Sequence, residues 1–176
     1  MQKIISLEGI VGSGKTTQVQ KLHNYLSPFS YIVPELNQHP IMRSAIEEWK
    51  QKNIKARSPH FDLTDVTHLA VARAKSQEDY IQKAEGKRWV LMDRGVYTAM
   101  VCECGELSMK EIEEINRKKG VVFPDICILL DCEVKTALGR VDTRREQLGI
   151  YRIRAIHETD AILTQKRRLY LELAKQ

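Results

Sequence analysis

Short apolar runs alternate with longer stretches of helical periodicity along this chain. Residues 3–7 (KIISL) make a first run of strand length, and Tyr31 to Val33 a shorter second one. Trp89 to Met92 (WVLM) and Asp125 to Leu130 (DICILL) are two further runs, each read as a buried strand. Helical spacing holds from about Lys15 to Leu26. Ile41, Ala45, Ile46 and Trp49 predict a second helix over 41–52 with those side chains inward. Ser58-Pro59 opens the next predicted helix, which runs to about Ala84 and stops at Gly86. Ser108 and Glu111 form a capping box for a helix ending near Gly120. The pattern from Val134 onward is helical and interrupted around Gly149. Strands apolar on both faces, alternating with helices, predict an α/β fold: a parallel sheet covered on both sides. No repeat, low-complexity segment or linker divides the chain, so residues 1–176 read as a single domain.

Composition adds exclusions. With 43% apolar and 29% charged residues the chain has the make-up of a soluble globular protein. No apolar run approaches the roughly 18 residues of a membrane span, and no membrane partner is expected. MQKIISLEG is cut short by Glu8 and a glycine loop, unlike a signal peptide, which makes the cytoplasm the expected location. Cys102, Cys104, Cys127 and Cys132 match no zinc spacing and read as free thiols, with Cys127 a small core residue. The net charge of +5 is not laid out as a basic tract, which argues against a nucleic-acid partner. Instead, five arginines fall between Arg140 and Arg154, a density suited to a compact polyphosphate.

One motif carries specific chemistry. Gly9-Ile-Val-Gly-Ser-Gly14-Lys15-Thr16 satisfies G-x4-G-K-[ST], with a strand before it and a helix after it. Glycines let successive backbone N–H groups turn inward around phosphate oxygens, and the helix adds the positive end of its dipole. Lys15 is the group for the β- and γ-phosphates, and the Thr16 hydroxyl is the group for Mg²⁺. Gly9, Val11, Gly12, Ser13, Gly14, Lys15, Thr16 and Thr17 are the candidate ATP-binding residues of the loop.

The loop alone names no reaction; the remaining candidates sit mostly at strand ends. Asp93 and Arg94 end the WVLM strand, where a ligand crevice forms in an open parallel sheet. Asp93 there suits Mg²⁺ or a proton, and Arg94 suits the phosphates of donor and acceptor; the alternative is a turn capping a helix near Val96. Glu35 ends the second strand and reads as an acceptor ligand or base, or as a solvated loop residue. Asp131 ends DICILL and reads as a helix N-cap or a metal-side acid. Arg73 is a lone charge in an apolar helix (Leu69, Ala70, Val71, Ala72, Ala74) and requires a ligand or an ion pair. Arg140 and Arg144 are four apart on one helix face, beside Arg145. Such a segment suits a lid that closes over transferring phosphate, or a solvated basic surface.

Taken together, these residues resemble the thymidylate kinases, within the nucleoside monophosphate kinases and their deoxynucleoside kinase relatives. LEGIVGSGKTTQ, LAVARAKSQEDYIQKAEGKRWVLMDRG, FPDICILLDCEVKTALGRVDTRR and RRLYLELAKQ are similar to family segments in chain order. The resemblance implies a P-loop kinase fold with strand order 2-3-1-4. It implies ATP and Mg²⁺ as cofactors, with Lys15, Thr16 and Asp93 on the ATP–Mg²⁺ side. Arg94 falls at the acceptor phosphate, Arg73 at the acceptor nucleotide, and Arg140, Arg144 and Arg145 in an Arg-rich lid over 140–154. Four positions depart from the family pattern. Val11 stands where an acid serves the acceptor sugar, and Leu69 where a Phe stacks on the base. Pro34-Glu35-Leu36 lacks the family's arginine, and Gly95 replaces a Tyr. The family continues past the equivalent of Gln176 into a fifth strand, so four strands are expected here.

The implied activity is transfer of the ATP γ-phosphate to a nucleoside monophosphate, a small-molecule acceptor met by Glu35, Leu69, Arg73 and Arg94. Two alternatives stand beside it: a deoxynucleoside kinase acting on a sugar hydroxyl, and a nucleotide-binding regulator without efficient transfer. A homodimer is compatible with the resemblance.

Overall fold

A computed structural model describes residues 2–56, 60–149 and 158–175. Its centre is a parallel four-stranded sheet of order β2-β3-β1-β4, the order that the resemblance implies. The strands are β1 (Lys3–Glu8), β2 (Ser30–Val33), β3 (Trp89–Asp93) and β4 (Ile126–Leu129). Seven α-helices are described: α1 (Lys15–Leu26), α2 (Pro40–Ala56), α3 (Leu63–Lys83), α4 (Val96–Glu103), α5 (Met109–Lys118), α6 (Val134–Gln147) and α7 (Asp160–Leu173).

Alternation of side chains along each strand divides the core into two layers. Ile5, Leu7 and Leu91 face Val19 of α1. Ile4, Val90 and Met92 face Tyr80 of α3 and Ala84 just after it on the other side. A third cluster joins Ile10 and Val101 to Ala137, Leu138, Leu163 and Leu169, so α6 and α7 pack beside the loop that follows β1. β1 and β3 are buried on both faces, which is why their sequences are apolar without alternation.

Three elements differ from the sequence expectation. β4 is an exposed edge strand rather than a buried one: Ile126 is 45% and Ile128 37% exposed, and Cys127 is exposed as well, not a core residue. Among the described residues β4 pairs only with β1. A continuous apolar run has the same appearance at the centre and at the edge of a sheet, so hydrophobicity alone misplaces it. In α2 Ala45 is buried and Ile46 and Trp49 half-buried, but Met42 takes the inward place expected of Ile41, which is 40% exposed; the helix runs over Pro40–Ala56, longer than expected at both ends. α3 begins at Leu63, where Asp62 and Asp65 form a reciprocal capping box; Ser58 and Pro59 lie outside the described residues. The Ser108–Glu111 capping box is present, and Gly86 and Gly120 both take the left-handed backbone that ends the helices before them. All four cysteines are free.

Candidate active site

A cleft of about 820 Å³ lies at the sheet's carboxyl edge. A larger depression, about 1190 Å³, lies at the opposite edge around Lys3, Lys87 and Trp89. In an open α/β sheet the ligand crevice forms at the carboxyl ends of the strands, where this smaller cleft carries the glycine loop and the charged candidates.

The loop side is built almost entirely from consecutive residues. Gly9, Val11, Gly12, Gly14, Lys15, Thr16 and Thr17 line the cleft. Gly12 has φ +78°, and a Cβ on it would fall 2.3 Å from the Ala137 carbonyl oxygen, so only glycine lets the loop rest on α6. Lys15 is buried, and its ammonium donates to the carbonyls of Gly9 (3.0 Å) and Ile10 (2.7 Å) and to Ser13 Oγ (3.3 Å). Burial, followed by repulsion from Arg94, holds its pKa down at about 7. The Thr16 hydroxyl donates to Asp93 Oδ2 at 2.5 Å, while Asp93 Oδ1 is buried without a hydrogen-bond partner. A hydroxyl and a carboxylate with a free oxygen form the hard donor set that suits Mg²⁺ completed by phosphate and water. No cluster of three acidic, His or Cys side chains occurs among the described residues, so such an ion would depend on its substrate for ligands.

The β3 end is shaped by a buried acid that sequence reasoning passed over. Glu8, 1% exposed, accepts from the Gly95 backbone N–H at 2.7 Å and from the Thr98 hydroxyl at 2.6 Å. Burial pushes its carboxyl up, partly offset by these bonds. A Cβ on Gly95 would lie 3.0 Å from Glu8 Oε1 and 3.3 Å from Ser6 Cβ, which explains why no larger residue follows Asp93-Arg94. Arg94 has φ +74°, the one non-glycine left-handed residue described. That conformation costs about 1–3 kcal/mol. It faces Glu35, whose Oε1 accepts from Arg94 Nε at 3.3 Å. Glu35 is therefore an ion-pair partner rather than a solvated loop residue.

Arg73 and Leu69 both line the cleft from α3 and both are 3% exposed. Arg73 donates to Glu103 of α4 and to Asn116 Oδ1 of α5, so its charge is already neutralised inside the protein. Glu103 is the second acid missed by the sequence reading. It is a lone charge in the apolar helix VYTAMVCE, the same signal that singled out Arg73. Trp49 and Phe61, stacked at 4.2 Å with an interplanar angle of 5°, line the cleft beside Leu69. The Arg-rich segment divides. Arg140 and Arg144 line the cleft, with Arg140 Nη1 3.3 Å from the Gly12 carbonyl. Arg145 is not among the lining residues and pairs with Glu158 at 3.5 Å. Residues 150–154 of the expected lid lie outside the described residues. Asp131 is neither the cap of α6 nor a cleft acid: Glu133 is at the cap position, and Arg167 of α7 holds Asp131 through two hydrogen bonds of 2.6 and 2.8 Å.

A glycine loop with a buried lysine, a threonine–aspartate pair and facing arginines, all at the carboxyl edge of a 2-3-1-4 parallel sheet, define a P-loop phosphotransferase. The thymidylate kinase family profile matches residues 7–176, and the chain belongs to that family, the nucleotide kinases. A probable thymidylate kinase from Sulfurisphaera tokodaii is 32% identical over this whole chain, which covers 84% of that protein. A probable thymidylate kinase from Methanococcus aeolicus is 29% identical over the whole chain, covering 81% of its own length. A thymidylate kinase from Caldanaerobacter subterraneus is 30% identical over 78% of the chain and 68% of that protein. No described helix is long and apolar enough to cross a membrane.

Proposed function

We propose that this protein transfers the γ-phosphoryl group of ATP to the phosphate of a nucleoside monophosphate. The observation that carries the reading is Arg94. It is a cation of the cleft that Lys15 also lines, held in a costly left-handed backbone and paired with Glu35 at 3.3 Å. An acceptor that brings its own phosphate gives this cation an anion to bind. A nucleoside acceptor does not.

On the donor side, amides of Gly9 to Thr17 hold the triphosphate, with Lys15 and Arg140 neutralising its charge. Thr16 and Asp93 are the residues that would hold Mg²⁺, which would neutralise triphosphate charge when bound. On the acceptor side, Arg94 orients the phosphate beside Glu35, while Leu69 and Arg73 face the rest of the nucleotide. An oxygen of the acceptor phosphate attacks Pγ, the bond from Pγ to the β-phosphate oxygen breaks, and ADP leaves. The protein contributes positioning and charge stabilisation, aided by Arg144 of the cleft lining. Cytoplasmic residence and a homodimer complete the reading; sedimentation of the purified chain tests the dimer.

The test is a coupled assay with ATP–Mg²⁺ and a panel of nucleosides and their monophosphates. ADP is expected with monophosphates and not with nucleosides, and Arg94→Met is expected to raise the acceptor KM by about tenfold or more. A nucleoside phosphorylated as well as its monophosphate would overturn the reading. ATP binding with no phosphorylated product from any acceptor would point instead to a regulator.

A further inference from the structure

Glu8 closes β1 as a buried acid, 1% exposed, that no step of the proposed transfer uses. A carboxylate in such a place is costly unless both its oxygens are met. Oε1 accepts from the Gly95 N–H at 2.7 Å, and Oε2 accepts from the Thr98 hydroxyl at 2.6 Å. Thr98 Oγ1 also lies 2.8 Å from the hydroxyl of Tyr170 in α7. An ionised carboxylate only accepts, so the Thr98 proton goes to Glu8 and Tyr170 donates in turn to Thr98. Two helices, α4 and α7, thus aim one oxygen of Glu8, and the other oxygen holds the backbone beside Arg94.

That backbone is the strained point of the cleft. Arg94 sits at φ +74°, a conformation that a residue with a Cβ leaves for the right-handed regions unless its neighbours forbid it. Its own N–H donates to the Leu7 carbonyl at 3.1 Å, and the next N–H, that of Gly95, donates to Glu8. Consecutive residues of β1 therefore grip the peptide units on both sides of Arg94. The remaining hold on Arg94, its ion pair with Glu35 at 3.3 Å, is partly exposed and so the weaker one. The Gly95 bond is buried and charge-assisted. A Cβ on Gly95 would lie 3.0 Å from Glu8 Oε1, so the carboxylate is pressed closely against that peptide.

We infer that Glu8, oriented by Thr98 and Tyr170, is a positioning residue for transfer: it holds Gly95 so that Arg94 keeps the left-handed backbone that presents its guanidinium to the acceptor phosphate. This rests on the nucleoside monophosphate reading above and deepens it. Two measurements test it. The first needs no acceptor: hydrogen exchange at the Gly95 amide of the ligand-free protein. Glu8→Leu is expected to speed that exchange about tenfold or more, the worth of one hydrogen bond to a charged group. Glu8→Gln keeps an oxygen for the same N–H and is expected to stay close to wild type. The second is calorimetric binding of the four deoxynucleoside monophosphates with a non-hydrolysable ATP analogue present, following the one that binds most tightly. Glu8→Leu is expected to weaken it about tenfold, to leave affinity for the ATP analogue nearly unchanged, and to add nothing in an Arg94→Met background. A role in folding alone would weaken both ligands and add to Arg94→Met. Unchanged Gly95 exchange or unchanged monophosphate affinity in Glu8→Leu, equal losses in Glu8→Gln and Glu8→Leu, or losses additive with Arg94→Met would overturn the inference. Monophosphate binding that Arg94→Met leaves intact, or no monophosphate binding at all, would overturn the nucleoside monophosphate reading instead; Gly95 exchange alone then decides whether Glu8 positions Arg94. Should Glu8→Leu fail to fold, Thr98→Val, which frees Glu8 Oε2, takes its place with an expected change of about threefold in both measurements.

Discussion

The two halves of the cleft are built in opposite ways. The half proposed for the donor is nearly continuous in sequence: Gly9 to Thr17 supply most of it, and Asp93 and Arg140 come from elsewhere. The half proposed for the acceptor draws on Glu35, Trp49, Phe61, Arg73, Arg94 and Glu103, spread over α2, α3, α4 and the connections between elements. A continuous loop works through backbone amides and one lysine, so it binds phosphate whatever the attached group. A dispersed set of side chains can be altered one residue at a time without touching phosphate binding. Specificity can therefore drift in the acceptor half while the donor half stays unchanged.

The largest expected effect tests the donor half. Lys15→Ala should lower kcat/KM by about a thousandfold and abolish ATP binding by calorimetry; retained affinity would break the comparison. Next, Arg73→Met should destabilise the fold by about 3 kcal/mol, because it strands the buried Glu103 charge. Arg73→Met combined with Glu103→Leu should recover most of that loss in denaturant melts. Equal stability of single and double variants would show that the pair is not internally matched. A third expectation concerns pH. Lys15 keeps its proton up to about 7 in the folded protein and to 10.5 in the unfolded chain. Between those values the unfolded state binds more protons, so this residue makes ligand-free stability rise with pH. Lys15→Met should flatten that part of a melt series from pH 7 to 9; an unchanged slope would place the lowered pKa elsewhere. The smallest effect belongs to Glu35→Gln. Its half-exposed pair with Arg94 contributes about 1 kcal/mol at most, so acceptor KM should shift by less than about tenfold with ATP affinity constant.

This contrast also explains how much was readable in advance. The donor half was legible because consecutive residues must satisfy one backbone geometry, and a G-x4-G-K-[ST] string records it. The strand order followed from the resemblance of whole segments. Arg73 was legible as a charge inside an apolar helix, yet its partner Glu103 gave the same signal thirty residues on in VYTAMVCE and was missed. Glu8 was hidden by its position: a charged residue closing a strand reads as the strand's end, not as a buried acid holding Gly95. Asp131 shows the reverse error, a strand-end acid that serves an exposed pair with Arg167 rather than the cleft. Trp49 and Phe61 come from different elements, and no local pattern records their stacking.

The contact between Gly12 and Ala137 has a mechanical consequence. The loop lies on the carbonyl of α6 with no room for a methyl group, and Arg140, three residues on, reaches back to the Gly12 carbonyl. The first half of α6 and the phosphate loop thus move as one body. Tilting α6 as a whole would drag the triphosphate's cradle with it. Any swing of Arg144 or Arg145 toward the transferred group has to pivot within the last turns of that helix, beyond Arg140, leaving the first half as a fixed anvil.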